Sequence, residues 1–214
     1  MTVRVLTATA GTLALLLLGA ALGLLIKVPT LSADPRPTAV DTGFAQDMTT
    51  HHQQAVTMAT LARERTSDAA VRQLAFDIDT NQRDQIGRMQ GWLDLWGQPA
   101  QPTGPAMQWM TAQHHHAASL TADARTTGPM PGMATADELS RLRALRGPEF
   151  DVYFLQLMLR HHEGGAPMAD YGARHAAVPA VRELAANMLG AQRAEAEFMR
   201  RMLAARHAGV LPSR

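Results

Sequence analysis

The chain has 214 residues, a formal net charge of +1 and 18% charged side chains. This length suits one domain with a real core behind an apolar N-terminal stretch, and the weak charge produces no field that would attract nucleic acid. Cysteine is absent, which excludes disulfides, thiolate metal sites and thiol catalysis.

Residues 1–27 contain an apolar stretch from Val5 to Ile26, with Arg4 before it and Lys27 after it. About 22 helical residues span roughly 33 Å, enough to cross a hydrocarbon core of about 30 Å. We predict an uncleaved transmembrane signal-anchor that holds the rest of the chain outside the cytoplasm; the alternative is a cleaved signal peptide and a secreted protein. Residues 28–40 then read as a linker.

The first repeat, residues 41–97, predicts a helical hairpin. A helical pattern starts with Asp41 or Thr42 as its cap and runs to Arg65, and a tight connection of three residues follows. The next helix covers about 68–96 and stops at Gly97. Two long helices joined so closely form an antiparallel pair.

Residues 98–147 form a joining segment that is longer than a bundle loop requires and rich in Pro and Gly. It contains the run His114 to His116, which is either a metal-capture tract or a solvated loop. Thr135 and Glu138 predict a capping box for a short helix that ends near Arg146.

The second repeat, residues 148–207, predicts another hairpin. Pro148 suits the first position of its first helix, and the break at Val178-Pro179 separates this helix from the last one, residues 180–207. Gly164, Gly165 and Pro167 interrupt the pattern, and an internal proline usually kinks a helix.

An internal duplication relates the two hairpins. The segment from Met48 to Ala59 recurs from Met158 to Ala169, 110 positions later, with its double histidine, two methionines and an upstream aromatic in register. Because alternating strand patterns are absent, residues 41–207 are predicted to be all-α and to form a four-helix bundle of two hairpins.

The repeated histidines and methionines fall on the stripe that should face the bundle interior, since they lie within about 120° of one another around a helix. A pseudo-twofold between the hairpins could therefore bring them together, with the small residues Ala55 and Gly165 leaving room for an ion. Imidazole suits several metals, but thioether sulfur selects Cu(I) over zinc. Affinity should fall as histidine protonates, near pH 6 to 7. The candidate metal ligands are Met48, His51, His52, Met58, Met158, His161, His162 and Met168.

The doubled motif, Asp-x-x-Phe-x-x-x-Met-x-x-His-His followed by a small residue and Met-Ala, resembles the domain-of-unknown-function 305 family over residues 41–207. This resemblance implies a ferritin-like four-helix fold and a role in binding or tolerating copper outside the cytoplasm. It assigns the metal-binding role to the eight residues named above.

The leading hypothesis is a non-enzymatic, membrane-anchored protein that buffers copper, with Cu(I) favoured over Cu(II) or zinc. One alternative is a ferritin-like metal-dependent oxidoreductase, although the chain lacks the Glu-x-x-His pairs of such sites. Another is a structural or partner-binding bundle. A homo-oligomer and a copper-transfer partner both stay open.

Several residues have a simpler interpretation. Asp47 and Glu163 do not match across the repeat and are predicted to be solvated rather than ligands. Trp92 and Trp96 are predicted to pack. Four further methionines are predicted to fill the core: Met89, Met188, Met199 and Met202.

Overall fold

A computed structural model describes residues 36–110 and 130–213 of the chain. These residues form five α-helices and no strand, which confirms the predicted all-α class. The helices are α1 (Ala39–Arg65), α2 (Ala69–Leu95), α3 (Ala136–Ala144), α4 (Gly147–His175) and α5 (Pro179–Ala205). The predicted transmembrane segment and His114 to His116 lie outside the described residues. No helix within the described ranges is long and apolar enough to cross a membrane.

The four long helices form the two predicted hairpins, α1 with α2 and α4 with α5, and α1 packs against α4. The duplication is visible in the helix bounds, since α5 begins and ends 110 residues after α2. Asp68 caps α2 by accepting hydrogen bonds from the backbone N–H groups of Ala70 and Val71. The structure therefore supports a four-helix bundle built from two repeats.

The predicted start of α1 is wrong. Thr38 is the N-cap, and Asp41 lies in the first helical turn, where its carboxylate accepts a hydrogen bond from the Thr38 N–H. Asp41 also accepts from the N–H groups of Ala177 and Val178 in the turn between α4 and α5. Its carboxylate thus ties the start of one hairpin to the turn of the other, which is a tertiary role that a local cap signal does not reveal.

The short helix α3 confirms the capping box, because Thr135 accepts from the Glu138 N–H and Glu138 accepts from the Thr135 N–H. The helix ends at Ala144, slightly before the predicted end near Arg146. Gly147 then starts α4 with a positive φ of 60°, a conformation that costs glycine little.

Pro167 does not end α4, which continues from Gly147 to His175. The proline lies on the exposed face of the helix. A carbonyl that loses its N–H partner to a proline can face water there, so the helix tolerates the missing hydrogen bond.

Two core clusters fill the bundle, and each takes residues from all four long helices. The first core cluster contains Met58, Met158 and Met199. The second contains Met48, Met89 and Met168. The C-terminal half of α1 thus packs with the N-terminal half of α4, and the N-terminal half of α1 packs with the C-terminal half of α4. The helices α1 and α4 therefore run antiparallel.

All four predicted core methionines are buried: Met89, Met188, Met199 and Met202. Trp92 and Trp96 pack partly buried against the second cluster, as predicted.

Candidate metal centre

The two double histidines lie at mid-helix in α1 and α4, between the two core clusters. All four side chains are buried, with relative exposures of 0–1%. The rings of His51 and His161 face each other with their centroids 3.8 Å apart and an interplanar angle of 36°. The centroids of His161 and His162 are 6.3 Å apart. The predicted inward orientation is therefore confirmed for the histidines.

Each imidazole is held at Nε2 by an oxygen atom. His51 lies 3.1 Å from the Pro131 carbonyl and His161 lies 3.0 Å from the His51 carbonyl. The outer members bond to side chains of the second helix in their own hairpin, His52 to Gln85 Oε1 at 2.7 Å and His162 to Glu195 Oε2 at 2.6 Å. Since these oxygens only accept hydrogen bonds, a neutral ring must carry its hydrogen on Nε2.

The Nδ1 atoms of all four histidines are buried without a hydrogen-bond partner. In the tautomer that the Nε2 contacts require, each Nδ1 carries a bare lone pair. An unsatisfied buried acceptor costs about 1–3 kcal/mol. Four such atoms are therefore expensive for the metal-free fold, and each leaves a lone pair that is available to a metal.

Burial also keeps His51, His52 and His161 neutral. It lowers the pKa of His51 to about 4 and that of His52 to about 3, and it holds the pKa of His161 well below its usual value. A metal can bind only the neutral ring. The expectation that affinity falls near pH 6 to 7 is therefore wrong for His51 and His52, because their burial moves protonation to a more acidic range.

The metal-free protein is expected to lose stability on acidification. Since the unfolded pKa of histidine is near 6.5 and the folded values of His51 and His52 are lower, only the unfolded chain takes up these protons as pH falls. Their contribution is complete above about pH 6.5 and declines below it by roughly 1.4 kcal/mol per histidine and pH unit. Urea unfolding of metal-free protein at pH 7, 6 and 5 measures this slope. An unchanged slope in a His52→Gln variant would contradict the assignment.

Two buried glutamines were not singled out by the sequence analysis, and one of them lies beside the histidines. Gln82 and Gln192 are equivalent in the repeat, are each 4% exposed and have a buried Oε1 without a partner. A Cβ on Gly165 would lie 3.3 Å from His51 Nδ1 and 3.2 Å from Gln192 Oε1. Two unsatisfied acceptors thus converge beside Gly165, which supports the prediction that a small residue leaves room there.

The four candidate methionines are all fully buried, but they do not form one group. Met48 and Met168 belong to the second core cluster, and Met58 and Met158 belong to the first. The thioethers therefore flank the histidine layer as two pairs, each with one member from each repeat. Within residues 36–110 and 130–213, no three His, Cys, Asp or Glu side chains are grouped as a metal site. Thioether sulfur is a soft ligand that offers little to zinc, so the methionines rather than the histidines would distinguish between metals here.

The end of the joining segment lies directly on the histidine layer. Besides the contact of the Pro131 carbonyl with His51, Gln54 holds Ala134 through two hydrogen bonds, one to its carbonyl and one from its N–H. Gly132 adopts φ of 79°, and a Cβ there would lie 2.5 Å from the Arg160 carbonyl. This segment shields the site on the side of α4.

Replacing Gly164 with alanine is expected to destabilise the fold by about 1–3 kcal/mol, as other overpacking changes do. The new Cβ would lie 2.5 Å from the Gly132 backbone nitrogen and still closer to the Pro131 carbonyl. Gly190→Ala is the control, because an alanine there meets nothing within 4 Å and should stabilise α5 by about 0.5–1 kcal/mol. Urea unfolding measures the stability of both variants. Equal stabilities would mean that the Pro131–Gly132 backbone moves aside at little cost and would contradict the prediction.

The predicted solvated role is wrong for Asp47 and confirmed for Glu163. Asp47 is 2% exposed and accepts hydrogen bonds from the Met107 N–H and the indole N–H of Trp109, at 2.6 and 2.7 Å. Burial raises the pKa of Asp47 despite these bonds. It anchors the start of the joining segment, whereas Glu163 is exposed and pairs with Arg200.

The family described as Domain of unknown function (DUF305) matches residues 41–203. A DUF305 protein of Streptomyces coelicolor, described as secreted, is 41% identical, with 81% of this chain and 97% of that chain covered and a TM-score of 0.71. A DUF305 fragment from Deinococcus radiodurans is 33% identical, covering 79% and 99% respectively, with a TM-score of 0.63.

CopM in its Cu(I)-bound form is 23% identical, with 77% of this chain and 95% of that chain covered. The TM-score of 0.56 indicates the same helical fold. None of the curated proteins matches the chain.

Proposed function

The chain belongs to the DUF305 family, and on this premise we propose that it is a copper-binding protein that buffers copper outside the cytoplasm without catalysing a reaction. The observation that carries the proposal is the set of four buried imidazoles, each held at Nε2 and bare at Nδ1. Metal-binding histidines are typically held by such a hydrogen bond at the second ring nitrogen.

The flanking thioethers favour copper over harder metals. Met48 with Met168 and Met58 with Met158 lie on either side of the histidine layer, and all four are 0% exposed. Thioether sulfur has no proton to lose and is a soft ligand that selects Cu(I). CopM, which shares the fold, has been solved in forms bound to Cu(I), Cu(II) and Ag. These forms support the choice of metal for this chain.

The proposed location outside the cytoplasm rests on two observations. The apolar stretch from Val5 to Ile26 is long enough for a signal-anchor, and the Streptomyces coelicolor relative is described as secreted. We propose membrane anchoring through residues 1–27; cleavage of this stretch would give a secreted copper binder instead.

The full-length protein is expected to bind Cu(I) much more tightly than Zn(II), because the donor set combines imidazoles with thioethers. Competition against chromophoric chelators, under reducing conditions for Cu(I), measures both affinities. Met168→Leu should weaken Cu(I) binding while leaving Zn(II) binding unchanged, since a thioether offers little to zinc. Tighter binding of Zn(II) than of Cu(I) would indicate a site made of histidine alone and would overturn the proposed metal.

A further inference from the structure

The outer histidines of the two repeats have chemically different partners. His52 bonds to the amide oxygen of Gln85, whereas His162 bonds to the carboxylate of Glu195. Glu195 lies 110 residues after Gln85, so the two partners occupy equivalent places in the duplication. The repeat thus preserves the contact but changes the charge of the group that makes it.

We infer that Glu195 is a positioning residue that makes the second-repeat imidazole, His162, a stronger metal ligand than His52; this rests on the proposed function. A carboxylate only accepts hydrogen bonds, so it holds the ring hydrogen on Nε2 and keeps Nδ1 bare. Its negative charge also makes Nδ1 a stronger electron donor toward a metal. The Nδ1 atom of His162 is buried and has no hydrogen-bond partner.

Gln85 fixes its histidine less strictly. A side-chain amide can present its oxygen or, after a half-turn, its NH₂ group. With the NH₂ group facing Nε2 of His52, the ring hydrogen moves to Nδ1, and that nitrogen can no longer bind a metal. The first repeat can therefore adopt a tautomer that is unable to bind at Nδ1, which makes His52 the weaker ligand of the two.

Three substitutions in the full-length protein test this assignment. Glu195→Gln makes the second repeat like the first, and Gln85→Glu does the reverse. Glu197→Gln is the matched control, because Glu197 lies on the same helix, is exposed and pairs with Arg200 instead of a histidine. The probe is Cu(I) in competition with a chromophoric chelator, and thermal melting of each variant reports its folding.

Glu195→Gln is expected to weaken Cu(I) binding by about 10-fold or more, the usual effect of losing an outer-shell partner. Gln85→Glu should strengthen binding, a gain that damage to the fold cannot produce, and Glu197→Gln should leave it unchanged. Nitrogen-15 NMR of the metal-free protein should find His162 with its hydrogen on Nε2 in the parent and a mixture of tautomers in Glu195→Gln.

The outcomes separate this inference from the proposed function. A parent protein that binds no Cu(I) overturns the function and the inference together. The other outcome is a parent protein that binds Cu(I) while Glu195→Gln and Gln85→Glu have the same affinity and the same histidine tautomers as the parent. That result overturns the inference alone and leaves the copper site in place.

Discussion

Replacing Glu138 with alanine is expected to lower the free energy of unfolding by about 3–5 kcal/mol, because the change leaves a buried cation without its partner. Arg160 is 2% exposed, and its guanidinium makes two hydrogen bonds to the Glu138 carboxylate, at 2.9 and 2.6 Å. Glu138 also accepts from the Thr135 N–H at the start of α3. The pair fastens α3 to α4 one residue before His161.

Asp170→Ala is the control, since the Arg174–Asp170 pair on the same helix α4 is exposed and such pairs contribute about 0.2–1 kcal/mol. Urea unfolding of the metal-free protein measures both changes. The double variant Glu138→Leu with Arg160→Met should recover much of the loss, because apolar groups of similar size often replace a buried ion pair at little cost. If Glu138→Ala and Asp170→Ala lower the free energy of unfolding equally, the Arg160 guanidinium must be solvated in the variant, and the prediction is wrong.

The duplication explains why much of the fold could be predicted. Helical periodicity and a constant offset of 110 residues locate the four long helices, and α2 and α5 obey that offset at both ends. The inward orientation of His51 and His161 followed from the same periodicity. Packing between equivalent helices requires apolar or small residues at equivalent positions, so it produces a periodic pattern in the sequence.

The features that were missed depend on contacts without a repeat. Asp47 was assigned to solvent because its equivalent is Leu157, yet it anchors the joining segment through Met107 and Trp109. Gly164 looked like an interruption of the helix, but it allows the Pro131–Gly132 backbone to approach α4. An irregular segment that contacts helices far from it in the sequence produces no periodic pattern.

The partners of the outer histidines could have been found from the sequence. Gln85 and Glu195 each lie 33 residues after their histidine, but a search for identical residues passes over a Gln aligned with a Glu. Asking which polar residues occupy equivalent places, without requiring identity, would have identified both. Gln82 and Gln192 are identical across the repeat, so the same search would have identified them as well.

Copper affinity is expected to fall by about 10-fold or more in His52→Ala and in His162→Ala, since even outer-shell losses typically cost 10 to 100-fold. Met89→Leu and Met199→Leu are the matched controls. Both methionines are 0% exposed, one in each core cluster, and they are equivalent in the repeat. The two changes roughly conserve volume, so each should cost less than about 1.5 kcal/mol of stability and leave Cu(I) binding unchanged.

The comparison between the two histidine variants distinguishes one centre from two. If His52 and His162 serve a shared ion, each single change lowers the affinity of the same site, and the double variant loses little more than the worse single one. Two independent sites instead give half the stoichiometry after either change, with the weaker site lost in His52→Ala. Competition titrations that report both affinity and stoichiometry separate these results. Histidine variants that bind Cu(I) as well as the parent while melting at a lower temperature would make the histidines structural, because burial without ligation would then account for them.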